Sequence, residues 1–514
     1  MATETPQPHP LHFVLIPFMA QGHLLPMTDI AKLFARHGVL VTFITTPVNA
    51  GRVRATLARA AADSPAVQIR VEEVEFPCEE EEEGGGDGLL LLPKHCESLD
   101  QLPSLGLGSN FYYSTDSLRK PVEKLFKGLR PRPSCVVSDM CLPFTAHVAE
   151  KFGVPRITFN GLSTFTLLCL RYIHVDKNIM DAVGLDSEPF VVPGIPDRVE
   201  LTKNQLPLSM TDGLDQFGQQ LVVAEGLSYG MIVNSFEELD PEYVEMYKVA
   251  MGGKAWCVGP VSLVNESQLD RLQRGNNAQY ADGESECLKW LDLQKPDSTI
   301  YMCLGSICNI PTSQLIELAM GLEASNFPFI WVVGNRGEAS EELWKWMDEY
   351  GFEKKTKGRG FLIRGWAPQM VILAHQAVGG FLTHCGWNST LEGICAGVTM
   401  LTWPLFGDQF CNERLIVDVL KIGMGIGANN TMKWGEEKKV GVLVKKENVK
   451  KGIDELMREG EEGDMRRKRV KELSEKSKLA LLEGGSSYVN IERLKQDIME
   501  QTSIKSCKKN TVGL

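Results

Sequence analysis

The stretch WAPQMVILAHQAVGGFLTHCGWNSTLEGICAGVTMLTWPLFGDQ, residues 366–409, joins a β-like apolar run to a helical pattern through the turn HCGWNS. The first turn of a helix has unpaired backbone N–H groups, and the positive end of the helix dipole attracts an anion. His384, Gly386, Asn388 and Ser389 lie at this junction. The sequence therefore predicts a phosphate site where the strand meets its helix.

Strand and helix patterns alternate on both sides of this stretch, which is typical of parallel sheets with crossover helices. In the first half, Met27, Ile30, Ala31 and Phe34 recur at helical spacing between two apolar runs. This alternation implies an α/β fold of two doubly wound, Rossmann-like domains that face each other across a cleft. The predicted strands and helices include Phe13–Pro17, Val39–Thr45, Ser134–Ser138, Thr145–Phe152, Arg156–Phe159, Thr299–Leu304, Thr312–Ser325 and Phe329–Val333.

A change of composition separates the two halves. Glycines and a proline interrupt the pattern between Gly252 and Ser267, and the polar stretch NESQLDRLQRGNNAQYADGES follows. We predict an N-terminal domain of residues 1–252, a linker and polar loop of residues 253–298, and a C-terminal domain of residues 299–484. We expect a final helical segment, residues 485–514, to pack back on the N-terminal domain.

Composition excludes several classes of protein. A chain of 514 residues exceeds one ordinary core, so two or three domains are expected. The formal charge of -12 argues against a nucleic-acid binder, which normally presents a basic face. The 13 cysteines have no metal-type spacing, and no run approaches the ~18 apolar residues of a membrane span. Because the N-terminus also lacks a signal-peptide pattern, the sequence predicts a cytoplasmic protein with reduced thiols.

One low-complexity insert differs from the alternating pattern. Glu79–Glu83 are followed by three glycines, Asp87 and then four leucines, Leu89–Leu92. Like charges repel one another and glycines raise chain entropy, so we expect a mobile surface loop rather than an acidic binding site. The leucines are unusual in such a loop, and packing over an apolar cleft is the alternative interpretation.

Single residues of the quoted stretch have structural explanations as well as functional ones. A tryptophan before Ala-Pro, such as Trp366, often packs in a core, and a lone histidine such as His384 is often a satisfied structural residue. The spacing of Ser389 and Glu392 fits a capping box, in which the glutamate turns back to the helix start. Spacing alone therefore favours a cap for Glu392.

The stretch 366–409 as a whole resembles the signature box of plant family 1 UDP-dependent glycosyltransferases. Further marks of that family are HFVLIPFMAQGHLLPM at 12–27, VVSDMCLPFT at 136–145, YMCLGSIC at 301–308 and NERLIVDVLKIG at 412–423. The pattern is most similar to the subgroup called group D, whose members glycosylate triterpenoids, steroids, flavonoids and cytokinin-like hormones. The resemblance implies the two-domain GT-B fold, with the acceptor in the first domain and the UDP-sugar in the second.

The resemblance also implies the nucleoside contacts of the donor. In the family the tryptophan that opens the box stacks on uracil, and that residue is Trp366 here. The Ala367 backbone is expected to read the uracil edge, and Gln369 to contact the ribose side. The resemblance assigns Glu392 to the ribose hydroxyls, because a carboxylate accepts two O–H bonds at once.

The remaining donor contacts follow from the same resemblance. Diphosphate contacts are implied for Ser306, His384, Asn388 and Ser389, and sugar contacts for Asp408 and Gln409 with Trp387 nearby. In the family a closing glutamine usually accompanies glucose, so UDP-glucose is the expected donor. Glucuronic acid, xylose and rhamnose donors remain open.

The reaction needs a base, because the attacking alcohol or phenol must lose its proton as UDP leaves. His23 follows the first predicted strand, at the sheet edge where open α/β folds bind ligands, and a histidine titrates near neutral pH. When His23 is considered alone, a structural role, in which it caps or packs the first helical turn, is as well supported as a role as the base. The family match of Asp139 hydrogen-bonds the histidine, so the resemblance implies a His–Asp dyad that inverts the anomeric carbon. This scheme requires no metal and no bound cofactor, and the sequence has no Asp-x-Asp motif.

The acceptor pocket is expected among apolar residues near the loops of the N-terminal domain, although core packing explains most of them equally well. We expect a monomer whose ligands are a UDP-sugar and a small-molecule acceptor. The predicted acceptor residues are Phe18, Met19, Phe111, Met140, Phe159 and Leu206, with Phe410 from the other domain.

Two alternative functions fit parts of the sequence. The first is a protein that binds the nucleotide sugar without transferring it, which requires only the donor site. The presence of the predicted base pair His23 and Asp139 argues against this alternative. A nicotinamide-dependent oxidoreductase is suggested by GMGIGA at 423–428, which fits G-x-G-x-x-A. That run follows a helix, whereas a dinucleotide fingerprint joins a strand to the next helix.

Overall fold

The computed structural model describes residues 10–76, 92–93, 96–175, 183–207, 211–275, 286–307, 310–334 and 337–512, without the side chains of residues 337 and 504–512. Its strands are β1 His12–Ile16, β2 Leu40–Thr45, β3 Ile69–Glu73, β4 Cys135–Asp139, β5 Arg156–Asn160, β6 Phe190–Val191, β7 Glu200–Leu201, β8 Gly230–Val233, β9 Ala255–Cys257, β10 Thr299–Cys303, β11 Phe329–Val333, β12 Gly360–Arg364, β13 Val378–Thr383, β14 Thr399–Thr402 and β15 Gly423–Gly425.

Helices connect most of these strands. They are α1 Gln21–Arg36, α2 Pro47–Asp63, α3 Gly108–Ser114, α4 Arg119–Gly128, α5 Phe144–Phe152, α6 Thr164–Val175, α7 Asp215–Gly226, α8 Pro241–Ala250, α9 Gln268–Gln273, α10 Glu286–Leu291, α11 Thr312–Ser325, α12 Gly337–Tyr350, α13 Phe352–Lys355, α14 Gln369–Leu373, α15 Trp387–Ala396, α16 Gln409–Arg414, α17 Glu437–Val440, α18 Lys446–Met457, α19 Glu461–Leu481 and α20 Ser486–Val512. Five 3₁₀ turns (Leu99–Gln101, Leu105–Leu107, Thr115–Leu118, Lys203–Gln205 and Val261–Val264) and a π-helical turn (Leu415–Val419) complete the described elements.

Two parallel sheets organise the chain. The first has the strand order β3-β2-β1-β4-β5-β8-β9, and the second has the order β12-β11-β10-β13-β14-β15. All residues of β1, β4 and β5 are buried, because helices cover both faces of a parallel sheet. The structure thus confirms the prediction of two doubly wound domains.

Each sheet has one point at which the strand order reverses. In the first sheet this point lies between β1 and β4, where Ile16 pairs in register with Ser138. In the second sheet it lies between β10 and β13, where Cys303 pairs with Thr383. Open α/β folds bind ligands in the crevice beyond the carboxyl ends of the strands at such a point. The two crevices therefore place the candidate site between the sheets.

The N-terminal sheet extends past the predicted boundary at residue 252, since β9 is its last strand. Helix α20 lies on this edge of the sheet, where the Asn490 side chain donates to the Cys257 carbonyl at 3.0 Å and Lys254 pairs with Asp497 at 2.6 Å. The final segment of the chain therefore packs on the first domain after the chain has completed the second.

Three sequence features have simple structural outcomes. The Glu79–Glu83 run and Leu89–Leu91 lie outside the described residues, whereas Leu92 is buried in the N-terminal core. The glycine run at 423–425 forms β15 itself rather than a turn between a strand and a helix, so it does not form a dinucleotide fingerprint. Of the helices that the structure describes, none has both the length and the apolar content needed to cross a membrane.

Candidate active site

A cavity of about 500 Å³ lies between the two domains, at the carboxyl ends of both sheets. The N-terminal domain contributes the segment after β1, including His23, and the segment after β4, including Met140. The C-terminal domain contributes Ser306 after β10 and the turn after β13 that starts at His384. The cavity is therefore bounded by the strand ends at both points of reversal.

His23 and Asp139 form a hydrogen-bonded pair at the N-terminal wall. His23 Nδ1 lies 2.8 Å from Asp139 Oδ2, and the histidine side chain is 27% exposed while the aspartate side chain is fully buried. Burial lowers the pKa of His23, but the charge and hydrogen bond of Asp139, with a contribution from Asp408, outweigh burial and raise it above 6.5. Within the described residues His23 Nε2 forms no hydrogen bond, so this atom is available to a ligand in the cavity.

The Asp139 carboxylate is held from its other side as well. The Cys141 backbone N–H donates to Asp139 Oδ1 at 2.9 Å, so one carboxylate oxygen accepts from the backbone and the other accepts from His23. Ligand atoms of His23, Asp139 and Cys141 lie within 4.8 Å of one another. Burial raises the pKa of the Cys141 thiol well above its ordinary value, with Asp139 adding to the shift, so the thiol stays protonated near neutral pH.

The junction at 384–389 has the predicted strand-to-helix geometry. Helix α15 begins at Trp387, with Gly386 at the N-cap and no side chain that caps it. The cap that spacing alone favours for Glu392 is therefore absent, because Ser389 lies inside the first turn rather than at the N-cap. Among the residues that the structure describes, no side chain pairs with the first N–H groups of the helix at the cavity, as an anion site requires.

Two glycines fit closely around the His384 ring. A Cβ atom on Gly305, whose φ is +87°, would lie 2.6 Å from His384 Nε2, and one on Gly386 would lie 2.4 Å from the same atom. Both positions therefore require glycine, which explains part of the HCG and LGS patterns. Burial lowers the pKa of His384 to about 4, so the ring is neutral near pH 7 and can donate at most one N–H to a phosphate oxygen.

Side chains of the same helix also reach the N-terminal domain. Asn388 Nδ2 donates to the Gly22 carbonyl at 2.6 Å, directly beside His23 in the sequence. The buried Trp387 donates its indole N–H to the Asn234 carbonyl at 2.7 Å. Both residues lie on the cavity wall, but the structure uses these polar groups to hold the two domains together.

The start of the quoted stretch forms one part of the cavity wall. Trp366, Ala367 and Gln369 line it together with Ser389 and Glu392. Gln369 Nε2 donates to Ser389 Oγ at 3.1 Å and to Glu392 Oε2 at 2.8 Å. Gln369 therefore orients two of the residues to which the resemblance assigns ligand contacts.

Asp408 and Gln409, at the end of the quoted stretch, line another part of the cavity. Burial raises the pKa of Asp408 to about 6, against the effects of the Asn412 hydrogen bond and of His23. Gln409 is buried, and its Oε1 accepts the backbone N–H groups of Leu405 at 2.8 Å and Phe406 at 3.1 Å. Because its oxygen holds the chain, Gln409 offers a ligand mainly its amide N–H groups.

The structure corrects most of the predicted acceptor set. Of those seven residues only Met140 lies on the cavity wall, because the others lie on strand ends, turns and helices whose side chains face the domain cores. Phe18 nevertheless packs edge-on against the His23 ring, with 5.2 Å between the centroids. The residues that do not line the cavity are Phe18, Met19, Phe111, Phe159, Leu206 and Phe410. The apolar wall on this side includes Leu99, Tyr112, Met140, Leu214, Phe217 and Leu221.

Two further polar residues, which the sequence did not predict, support the site. Asn412 donates to Asp408 Oδ2 at 2.6 Å and to the Cys385 carbonyl at 2.9 Å, and its own oxygen accepts the Ser163 hydroxyl at 3.1 Å. Its position four residues after Asp408, one helical turn away, is a signal that predicts the first contact. The second is Arg274, which lines the cavity from a polar stretch without a motif.

Sequence comparisons point to one family. A family profile described as "UDP-glucoronosyl and UDP-glucosyl transferase" matches residues 281–438. The chain is 51% identical over 511 residues to UDP-glycosyltransferase 73C3 of Arabidopsis thaliana, which covers 98% of this chain and 100% of that protein. It is 50% identical over 499 residues to UDP-glycosyltransferase 73C11 of Barbarea vulgaris, covering 96% of this chain and 98% of that protein.

Solved structures give the same result for the fold. UGT73P12 of Glycyrrhiza uralensis, complexed with glycyrrhetinic acid 3-O-monoglucuronide, is similar with a TM-score of 0.87 at 37% identity, covering 98% of this chain and 99% of that one. UGT89C1 of Arabidopsis thaliana, complexed with UDP-L-rhamnose, is similar with a TM-score of 0.70 at 27% identity, covering 95% and 98%. The predicted GT-B fold is thereby confirmed.

Proposed function

This chain belongs to the UDP-glycosyltransferase family, and from that premise we propose that it transfers glucose from UDP-glucose to a hydroxyl of a hydrophobic small molecule, with inversion at the anomeric carbon. The observation that carries the proposal is the contact between the two halves of the site. Asn388, in the first turn of α15, donates to the carbonyl of Gly22, the residue before His23, at 2.6 Å. A donor bound at the helix start therefore lies beside the base.

His23 acts as the base in this mechanism. Its Nδ1–H donates to Asp139, so the lone pair on Nε2 faces the cavity and accepts the proton of the acceptor hydroxyl. The resulting imidazolium is stabilised by the buried Asp139 carboxylate, as in other His–Asp pairs. The acceptor oxygen attacks the anomeric carbon from the face opposite UDP, so an α-linked donor gives a β-glycoside.

The second domain binds the donor and stabilises the leaving group. The uncapped helix start of α15 and the side chains of Ser306, His384 and Ser389 line the cavity. We assign them to the diphosphate, where they offset the charge that develops as the bond to the sugar breaks. Trp366 stacks on the uracil and Glu392 accepts the ribose hydroxyls. Asp408 and the amide of Gln409 contact the sugar hydroxyls.

The acceptor occupies the apolar part of the cavity near His23. Leu99, Tyr112, Met140, Phe217 and Leu221 form an apolar and aromatic wall that suits a large hydrophobic molecule. A solved relative is complexed with glycyrrhetinic acid 3-O-monoglucuronide, in which a sugar is attached through oxygen. A hydrophobic alcohol or phenol is therefore the acceptor class that we propose.

The proposal is tested by incubating the protein with UDP-glucose and a panel of hydrophobic alcohols and phenols, with products identified by mass. We expect a monoglucoside and an equal amount of UDP. His23→Ala should lower the transfer rate on the order of 10²–10⁴-fold while the Kd for UDP stays within about twofold, because a general base contributes to the chemical step and not to nucleotide binding. If that variant retains most of its rate, the assignment of the base is wrong.

The same experiment separates transfer from binding alone. If the wild-type protein binds UDP but forms no glycoside with any acceptor and any of the UDP-sugars tested, the chain is a nucleotide-sugar-binding protein. If a glycoside forms from UDP-glucuronic acid, UDP-xylose or UDP-rhamnose but not from UDP-glucose, the sugar that Gln409 indicates is wrong.

A further inference from the structure

Arg274 connects both domains at the edge of the donor cavity. It follows α9 in the segment between the domains, and its side chain is only 10% exposed. Its Nη2 and Nε donate to Asp29 Oδ2 of α1 at 2.9 and 3.1 Å. Its Nη1 donates to Glu392 Oε1 of α15. One guanidinium group therefore joins a buried carboxylate of the first domain to a buried carboxylate of the second.

The contact with Glu392 leaves room for a ligand. A carboxylate has about four lone-pair positions, and Glu392 uses one for Arg274 and one for Gln369 Nε2 within the described residues. The remaining positions can accept ribose hydroxyls. Burial lowers the pKa of Arg274, yet the charges of Asp29 and Glu392 outweigh burial and raise it, so the guanidinium stays charged.

The backbone of the same residue holds Trp366. The indole N–H of Trp366 donates to the Arg274 carbonyl at 3.0 Å. Gly275 follows with φ +86°, and a Cβ atom there would lie 2.4 Å from the indole ring. The chain therefore lies directly against the indole and fixes its orientation. Glu392 and Trp366, which we assign to the ribose and the uracil, are thus both held by one residue.

A second set of contacts attaches the same segment to the first domain without touching the donor site. Lys32 donates to Asp270 Oδ2 at 2.7 Å and Arg59 donates to Asp270 Oδ1 at 2.9 Å. Neither Lys32 nor Arg59 lines the cavity. These contacts provide a matched control, because they anchor α9 but do not reach Glu392 or Trp366.

We propose that Arg274 is a positioning residue of the donor site, which holds Glu392 and Trp366 in the arrangement that binds the nucleoside, and that Asp29 sets the position of Arg274 from the other domain. This inference rests on the proposed function, since it uses the nucleoside roles of Trp366 and Glu392. It predicts that Asp29, which does not line the cavity, contributes to nucleotide affinity through Arg274 alone.

The test is the Kd for UDP, measured by isothermal titration calorimetry on the full chain and on the variants Arg274→Ala, Arg274→Lys, Asp29→Asn and Arg59→Ala. We expect Arg274→Ala to raise the Kd by about tenfold or more, since a hydrogen-bonded charge is lost from the site. Arg274→Lys should recover part of the affinity, because it keeps the charge but lacks the fork of donors. Arg59→Ala should change the Kd by less than about twofold.

The double variant Asp29→Asn with Arg274→Ala gives the more specific readout. If Asp29 acts through Arg274, the double variant binds UDP as weakly as Arg274→Ala and no more weakly. In steady-state assays the KM for the donor should rise while the KM for the acceptor stays unchanged, which general loosening of the fold would not produce. Thermal unfolding checks that each variant folds. If Arg274→Ala does not fold, the test uses Arg274→Lys and Asp29→Asn instead.

Three results would overturn the inference. The first is an unchanged Kd for UDP in Arg274→Ala or, if that variant does not fold, in both Arg274→Lys and Asp29→Asn. The others are an equal loss of UDP affinity in Arg59→Ala and additive losses of affinity in the double variant. The wild-type titration separates these outcomes from failure of the proposed function. If the wild-type chain binds no UDP, the proposed donor site itself is wrong. If it binds UDP and the Arg274 variants bind equally well, only the positioning role is wrong.

Discussion

Replacing Asp139 with asparagine perturbs the proposed dyad without changing its shape. The Asp139 carboxylate accepts two N–H groups, one from His23 Nδ1 at 2.8 Å and one from the Cys141 backbone at 2.9 Å. An asparagine side chain has one oxygen and one NH₂ group, so it can accept only one of these at that geometry. In this fully buried position the variant can therefore accept from His23 or from Cys141, but not from both.

Each arrangement of that asparagine impairs the base. If its oxygen keeps the Cys141 N–H, its NH₂ group faces Nδ1 and selects the tautomer with the proton on Nε2, which cannot accept a proton from the acceptor. If its oxygen faces His23, two buried N–H donors oppose each other at Cys141. We therefore expect kcat to fall about 10²–10⁴-fold, the contribution of a general base, which corresponds to roughly 3–5 kcal/mol.

The pH dependence gives an independent readout. The imidazole must be neutral to act as a base, so activity is lost as the pH falls through the pKa of His23, which the carboxylate raises above 6.5. In Asp139→Asn burial still lowers that pKa but the opposing charge is gone, so the acid limb of kcat/KM should move to lower pH. Initial rates of glucoside formation at saturating substrates and the Kd for UDP complete the assay. A kcat within about threefold of wild type, or an acid limb that does not move, would refute the dyad.

Three further predictions concern the donor side. Trp366→Ala should raise the KM for the donor about 5–150-fold and leave the acceptor KM unchanged, because base stacking contributes roughly 1–3 kcal/mol. An unchanged donor KM in steady-state assays excludes the stacking role. Gln409→Glu keeps an oxygen for the N–H groups of Leu405 and Phe406 but loses the amide donors. We therefore expect kcat/KM for UDP-glucose to fall about tenfold with little change in Tm. A kcat/KM equal to that of the wild type contradicts the sugar contact. Burial gives Asp408 a pKa of about 6, and the side chain accepts hydroxyl hydrogen bonds at both oxygens only as the carboxylate, so the donor KM should rise as the pH falls below that value. If Asp408→Asn shows the same pH profile of KM, another group is responsible.

The pattern of strands and helices predicted the two sheets and the location of the cavity. Apolar runs between helical patterns located the central strands of both sheets to within a residue or two, as for Arg156–Asn160 and Phe329–Val333. Because ligands bind beyond the carboxyl ends of such strands, the segments containing His23, Asp139 and His384 were brought to one cavity as expected.

Two sequence patterns were misleading when taken alone, for clear physical reasons. Apolar residues near strand ends, such as Phe18 and Phe159, were predicted to form the acceptor pocket, but strands covered by helices on both faces bury side chains in both directions. Burial alone therefore could not distinguish wall from core. The capping box that spacing favours for Glu392 does not form, because its carboxylate pairs with Arg274 and Gln369 instead.

Arg274 shows what sequence reasoning could not supply. It lies in a polar stretch without hydrophobic periodicity or a motif, and both of its partners are more than a hundred residues away in the chain. Such a contact is created by the way the two domains face each other. Only the structure could place this residue against Glu392 and Trp366.

The proposed inverting transfer is tested most directly by the anomeric configuration of the product formed from UDP-α-glucose and a hydrophobic phenol or alcohol. NMR determines that configuration, and UDP is measured in parallel. Direct attack from the face opposite UDP, with His23 as the base, predicts a β-glucoside and one UDP for each glucoside formed. An α-glucoside, or free glucose and UDP without a glycoside, would contradict the inverting transfer that this cavity is proposed to perform.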